Sequence, residues 1–170
     1  MTIWTLEHLN TAPDDDHLRS ALCRCCSARV WVAAIVAGRP YADQDALGVA
    51  SDAATMSLDP AGFTEALAGH PRIGERVPIH GEQWSRQEQA GVAGADEQLR
   101  AELAAANAAY EQRFGHLYLV CATGLPATDL LDICRVRLTN DPVAERTVSL
   151  AELAKINRLR LGKLLRSEDR

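Results

Sequence analysis

Apolar side chains recur every three or four positions through most of this chain, and proline, glycine and aspartate interrupt the recurrence. That period predicts amphipathic helices. The pattern places helices over residues 2–9, from the acidic start Asp14-Asp15-Asp16 into the apolar-periodic stretch behind it, and over 28–37 up to the stop at Gly38-Arg39-Pro40. Further helices are expected over 43–56, then from an Asp59 N-cap with Pro60 at the first helical position through residue 67, where Gly69 ends the run. The series continues over 85–91, 95–114, 127–138 and, after the break at Asn140-Asp141-Pro142, over 142–165. Residues 72–84 have turn residues and no helical period, so they read as a loop. Residues 117–122 are the one apolar run compatible with extended chain. The predicted class is all-α, a single domain over residues 1–170 built as a bundle of about eight or nine helices.

Composition adds to this picture. Aromatics make up only 5% of the 170 residues while alanine is abundant, which favours packed helices over a β-sandwich. The net charge of −5 disfavours a nucleic-acid binder, and Lys155, Arg158, Lys163 and Arg166 read as a solvated helix face. Five cysteines, with Cys23, Cys25 and Cys26 crowded together and Cys121 and Cys134 far away, are a poor disulfide framework. Reduced thiols in a cytoplasmic protein are the better reading. No second cysteine cluster completes a metal site, and the spacing of His70, His80 and His116 matches no ligand motif. No apolar run reaches the roughly 18 residues of a membrane span, and no signal peptide opens the chain.

Four stretches are candidates for chemistry. The first is the turn His70-Pro71-Arg72-Ile73-Gly74-Glu75. Histidine titrates near neutrality, and the following proline confines it to extended backbone geometry. The imidazole is therefore either an acid/base group on a stiff turn or an ordinary turn residue. The second is Ser85-Arg86-Gln87-Glu88, with Gln89 behind it. A serine followed three residues later by glutamate is the spacing of a capping box, and Gln89 adds an amide that capping does not require. The third is Arg160. At about 100° per residue it falls within the apolar arc of Leu150, Leu153, Ile156, Leu161 and Leu164, and Asn157 falls there too. A guanidinium aimed at a core needs an anionic partner, either an internal carboxylate such as Glu145 or Glu152 or a ligand. The fourth is residues 114–122, whose extended portion leaves main-chain groups for protein or ligand to satisfy.

In this order the motifs resemble those of the OHCU decarboxylase family, named for its substrate 2-oxo-4-hydroxy-4-carboxy-5-ureidoimidazoline. The resemblance rests on His70-Pro71-Arg72-Ile73-Gly74, on Ser85, Glu88 and Gln89, on Phe114-Gly115 with Tyr118 and Cys121-Ala122, and on Leu159-Arg160-Leu161. The stretch Arg137-Leu138-Thr139-Asn140-Asp141-Pro142 with Glu145 is also similar. Each motif alone is weak, whereas four in sequence, spanning residues 6–165, are specific. The chain departs from the family at Tyr118, where phenylalanine is common, at His116-Leu117, and at Thr123-Gly124-Leu125-Pro126.

The resemblance implies an enzyme of urate degradation that decarboxylates the ureidoimidazoline to (S)-allantoin. It implies His70 and Glu88 as catalytic residues, with Pro71, Ser85, Gln89, Arg160 and the backbone of Leu119, Val120, Cys121 and Ala122 holding the substrate. It implies no cofactor and no metal, and a homodimer. The alternative is a non-catalytic all-α binding or interaction module of the same fold.

Overall fold

The computed structural model describes residues 4–74, 83–92 and 94–165; Glu75, His80 and Arg166, and the side chains of Gln83, Ser85 and Arg86, lie outside that description. The described residues form nine α-helices and no strand. The helices are α1 (Leu6–Thr11), α2 (Asp16–Cys23), α3 (Arg29–Ala37), α4 (Gln44–Met56), α5 (Pro60–Leu67), α6 (Gln83–Glu88), α7 (Glu97–Phe114), α8 (Ala127–Arg137) and α9 (Pro142–Leu165). A single 3₁₀ turn, Ala90–Val92, follows α6. The all-α class is as the periodicity predicts.

Helix starts follow from side-chain caps. Asp15 accepts from the N–H groups of His17 and Leu18, Asp43 from Ala46, Asp59 from Gly62 and Asp96 from Leu99, at 2.7–3.0 Å. Each carboxylate satisfies an orphan donor and lies at the positive end of its helix. At α1 the cap is Thr5, which accepts from His8 N–H, so the helix starts later than the apolar period alone suggests. Gly115, at φ 74°, ends α7 in the left-handed region that glycine enters without a Cβ clash. The chain continues through residues 117–122 with neither helix nor strand.

Two compact units divide the chain. One comprises Met1–Gly69 with Leu153–Arg170, the other His70–Glu152. In the first, Leu9, Leu18, Leu22, Trp31, Ile35 and Leu47 are fully buried, together with Leu153, Ile156, Leu161 and Leu164 on the second half of α9. In the second, α7 and α8 share a core of Ile73, Leu103, Tyr110, Tyr118, Val120, Leu130, Leu131 and Cys134. No disulfide joins the five cysteines; burial pushes the Cys26 and Cys134 thiols up to about 11.

Candidate active site

His70 opens the second unit, half-buried, directly after the end of α5. The turn behind it is gripped at three successive main-chain groups. Gln89 Nε2 donates to the Arg72 carbonyl at 3.3 Å, and Gln89 Oε1 accepts from Gly74 N–H at 3.0 Å. Between these, Asn107 Nδ2 on α7 donates to the Ile73 carbonyl at 2.7 Å. Arg72 reaches out to α7 and pairs with both oxygens of Glu111, at 2.5 and 2.9 Å. The Arg72 hydrogen bond holds the Glu111 carboxyl below its ordinary range. Gly74 has φ 86°, which only glycine adopts without strain. Arg72, Ile73 and Gly74 with Arg100, Asn107 and Glu111 line a cleft of about 270 Å³ on this side of the turn.

Helix α6 carries Ser85 and Glu88. The helix begins at Gln83, two residues before the sequence pattern suggests, so Ser85 is a helical residue and not an N-cap. The capping-box reading of Ser85 and Glu88 is therefore corrected: a capping box needs its serine at the non-helical N-cap. Glu88 ends α6 and is 8% exposed. The next residue is Gln89, whose amide holds the turn at Arg72 and Gly74. One side chain thus ties the element bearing Glu88 to the turn bearing His70.

Residues 117–122 are positioned from α8 and α9. Arg137 Nη1 donates to the Leu119 carbonyl at 2.7 Å, and Glu152 Oε2 accepts from Cys121 N–H at 2.9 Å. Val120, between them, is 5% exposed, and neither of its main-chain groups takes a hydrogen bond among the described residues. Arg137 is itself fixed in a buried network. Its Nε and Nη2 donate to Glu145 Oε1 at 2.8 and 2.6 Å, Tyr110 donates its hydroxyl to the same oxygen, and Asn140 donates to Glu145 Oε2 at 2.7 Å. Burial opposes ionisation of Glu145, yet these hydrogen bonds hold its pKa below the ordinary value. The Arg137 guanidinium lies 5.1 Å from the Tyr118 ring centroid, a cation–π contact. The extra hydroxyl of Tyr118 donates to the Leu130 carbonyl at 3.0 Å, so tyrosine is accommodated where the family pattern favours phenylalanine.

Arg160 belongs to the other unit. It is 2% exposed and Asn157 is fully buried, as the helical wheel predicts. Asn157 donates to Thr55 Oγ1 at 3.0 Å, and the Arg160 charge acts on the buried Cys26 thiol. Of the partners the sequence offers Arg160, one is already engaged elsewhere. Glu145 is taken by Arg137, which it meets at 2.6 Å. On the outer face of α9, Arg158 pairs with Asp52 at 2.7 Å, as a solvated helix face does.

The periodicity alone does not mark Asn107, Arg137 or Glu152 as positioning groups. A wheel for α7 would have exposed the first, because Asn107 sits on the stripe of Leu103 and Tyr110, the apolar side of that helix. The other two act on main-chain groups of a non-helical segment, and no side-chain pattern announces such bonds.

Comparison with known proteins fits this arrangement. The OHCU decarboxylase family model matches residues 10–162. A 2-oxo-4-hydroxy-4-carboxy-5-ureidoimidazoline decarboxylase of Amia calva is 30% identical over 147 residues, which is 84% of this chain and 81% of that protein. The uric acid degradation bifunctional protein TTL of Arabidopsis thaliana is 26% identical over 145 residues, and the match covers 82% of this chain but only 45% of that longer protein. A crystal structure of OHCU decarboxylase in the presence of (S)-allantoin superposes with a TM-score of 0.71 at 25% identity, covering 84% of this chain and 95% of the other. With a family model running through nearly the whole chain, and the motif residues on a clamped turn, a short helix and a tethered segment, the chain belongs to the OHCU decarboxylase family.

Proposed function

We propose that this chain, acting over its whole length as one functional domain, decarboxylates 2-oxo-4-hydroxy-4-carboxy-5-ureidoimidazoline to (S)-allantoin. The observation that carries the proposal is the Gln89 tie between the His70 turn and the helix that ends on buried Glu88. It braces the turn that bears His70 against the residue that follows Glu88, which supports an acid–base role for the two side chains.

The substrate loses CO2 from a ring carbon that also bears a hydroxyl. The C–C bonding pair moves into the adjacent ring C=N, and an enol-like species remains. Protonation of the neighbouring carbon on one face then gives the S product. Because the ring is its own electron sink, the carbanion needs no external stabiliser of the kind a cofactor supplies. His70 handles the hydroxyl or ring proton as base and then acid, and Glu88 orients it. Pro71 and Ser85 shape the substrate's surroundings, and Gln89 contributes through the turn that its amide spans. Arg160 holds an anionic or carbonyl oxygen. Main-chain groups of residues 119–122 hold the ureido and ring carbonyls, with Val120 the best placed because its N–H and C=O take no internal partner among the described residues. Strong grip on the departing carboxylate is not expected, since ground-state binding of the leaving group does not lower the barrier.

The test is circular dichroism of product formed from freshly generated substrate. Wild-type protein should raise an optically active signal faster than buffer alone. His70→Asn and Glu88→Gln should each lose about 10²–10⁴-fold in kcat. Wild-type kcat in both variants would sink the acid–base assignment. We propose further that the protein works in the cytoplasm as a homodimer; sedimentation equilibrium should return twice the chain mass, and a monomer at micromolar concentration would dismiss that part.

A further inference from the structure

We propose that Asn107 is a positioning residue for His70, acting through the Ile73 carbonyl; this rests on the decarboxylase reading above. Asn107 stands in the interior of α7 and is 5% exposed. Its Nδ2 donates to the Ile73 carbonyl at 2.7 Å, whereas its Oδ1 is buried and takes no hydrogen bond among the described residues. A buried amide is a poor choice for stability alone, because taking it out of water costs free energy that one hydrogen bond only partly returns. Packed beside Leu103 and Tyr110, an apolar side chain would avoid that penalty. What asparagine adds here is one donor at a fixed place, and that donor holds the centre of the turn.

The consequence runs along the main chain. Gln89 holds the groups on either side of Ile73, so the Asn107 bond completes three consecutive restraints at residues 72–74. Pro71 has its own φ locked, and it restricts the backbone of the residue before it. The main chain that carries the imidazole is therefore restrained on its C-terminal side, by Pro71 and by the bonds at residues 72–74. Without the central restraint the turn retains the two outer bonds and gains freedom at Ile73. A small displacement of an acid–base group is costly, since misplacement by about 1 Å can lower a rate about 10²-fold.

Three measurements test this. In the wild-type protein, NMR should show a through-hydrogen-bond coupling between Asn107 Nδ2 and the Ile73 carbonyl carbon; its absence would overturn the proposal without any variant. In Asn107→Leu, and in the smaller Asn107→Ser, the helical circular dichroism should be retained and the His70 ring resonances should move and titrate differently. With substrate, kcat should fall about 10–100-fold while KM changes less than about threefold. A folded variant with unchanged His70 resonances and wild-type kcat contradicts the proposal. The two readings fail separately. Wild-type protein without turnover removes the decarboxylase function, while the coupling and the ring titration still decide whether Asn107 positions His70.

Discussion

At the scale of single residues, the turn shows how far local chemistry can be read from sequence. His70 and Pro71 are legible because proline and imidazole have strong intrinsic properties that hold in any context. Gln89 and Asn107 are not legible in the same way. They act on main-chain groups 15 and 34 residues away, and only the fold brings them there. Gly74 offers a direct test of the turn's geometry. A Cβ there would meet nothing closer than 3.8 Å, so space is available and only the φ of 86° resists a side chain. Gly74→Ala should therefore cost about 1–2 kcal/mol, the penalty of left-handed backbone, while Gly74→Asn should cost less. Urea denaturation of both variants measures this; an alanine variant as stable as wild type would show that the turn does not need the left-handed conformation.

At the scale of elements, the existence of the helices was legible and their exact starts only in part. Asp59 with Pro60 marks α5 as a cap and the acidic run at residues 14–16 marks the start of α2, whereas Asp43 and Asp96 prove to be caps just outside helices that the period alone begins at 43 and 95. Helix α6 was less legible, because its serine and glutamate mimic a capping box while the helix starts two residues earlier. The tether of Leu119 was also hidden, because it depends on the buried Arg137–Glu145 pair. The two side chains are 6% and 0% exposed, and this pair should behave as buried ion pairs do. Glu145→Gln leaves the guanidinium uncompensated and should cost about 3–5 kcal/mol in urea denaturation at neutral pH. The same carboxyl makes stability depend on acid. Its folded pKa lies below the unfolded value of 4.5, so its contribution is fully present above that value and is lost as pH falls through the folded one. Wild-type stability should decline over that window, and the decline should be shallower in Glu145→Gln. An equally steep acid limb in the variant would assign the decline to other carboxylates.

At the scale of the whole molecule, class and composition weigh against several functions before any site is considered. An acidic, alanine-rich, aromatic-poor chain is a poor nucleic-acid binder and a poor β-sandwich, and among the described residues no helix is long and apolar enough to cross a membrane. What composition could not supply was the division of the chain into two compact units, with α9 starting in one and ending in the other. That division depends on which helices share a core, and the helical period is the same on either side of it.

The clamp on the His70 turn has one more consequence. Its gripping groups are neutral amides and peptide carbonyls, which do not titrate. The nearby carboxylate Glu111 is held below its ordinary range by Arg72 and stays ionised throughout the range in which an imidazole titrates. On the acid–base reading proposed above, a proton gained or lost at His70 leaves the charge of these gripping groups unchanged, so the three bonds that hold the turn do not depend on pH in that range.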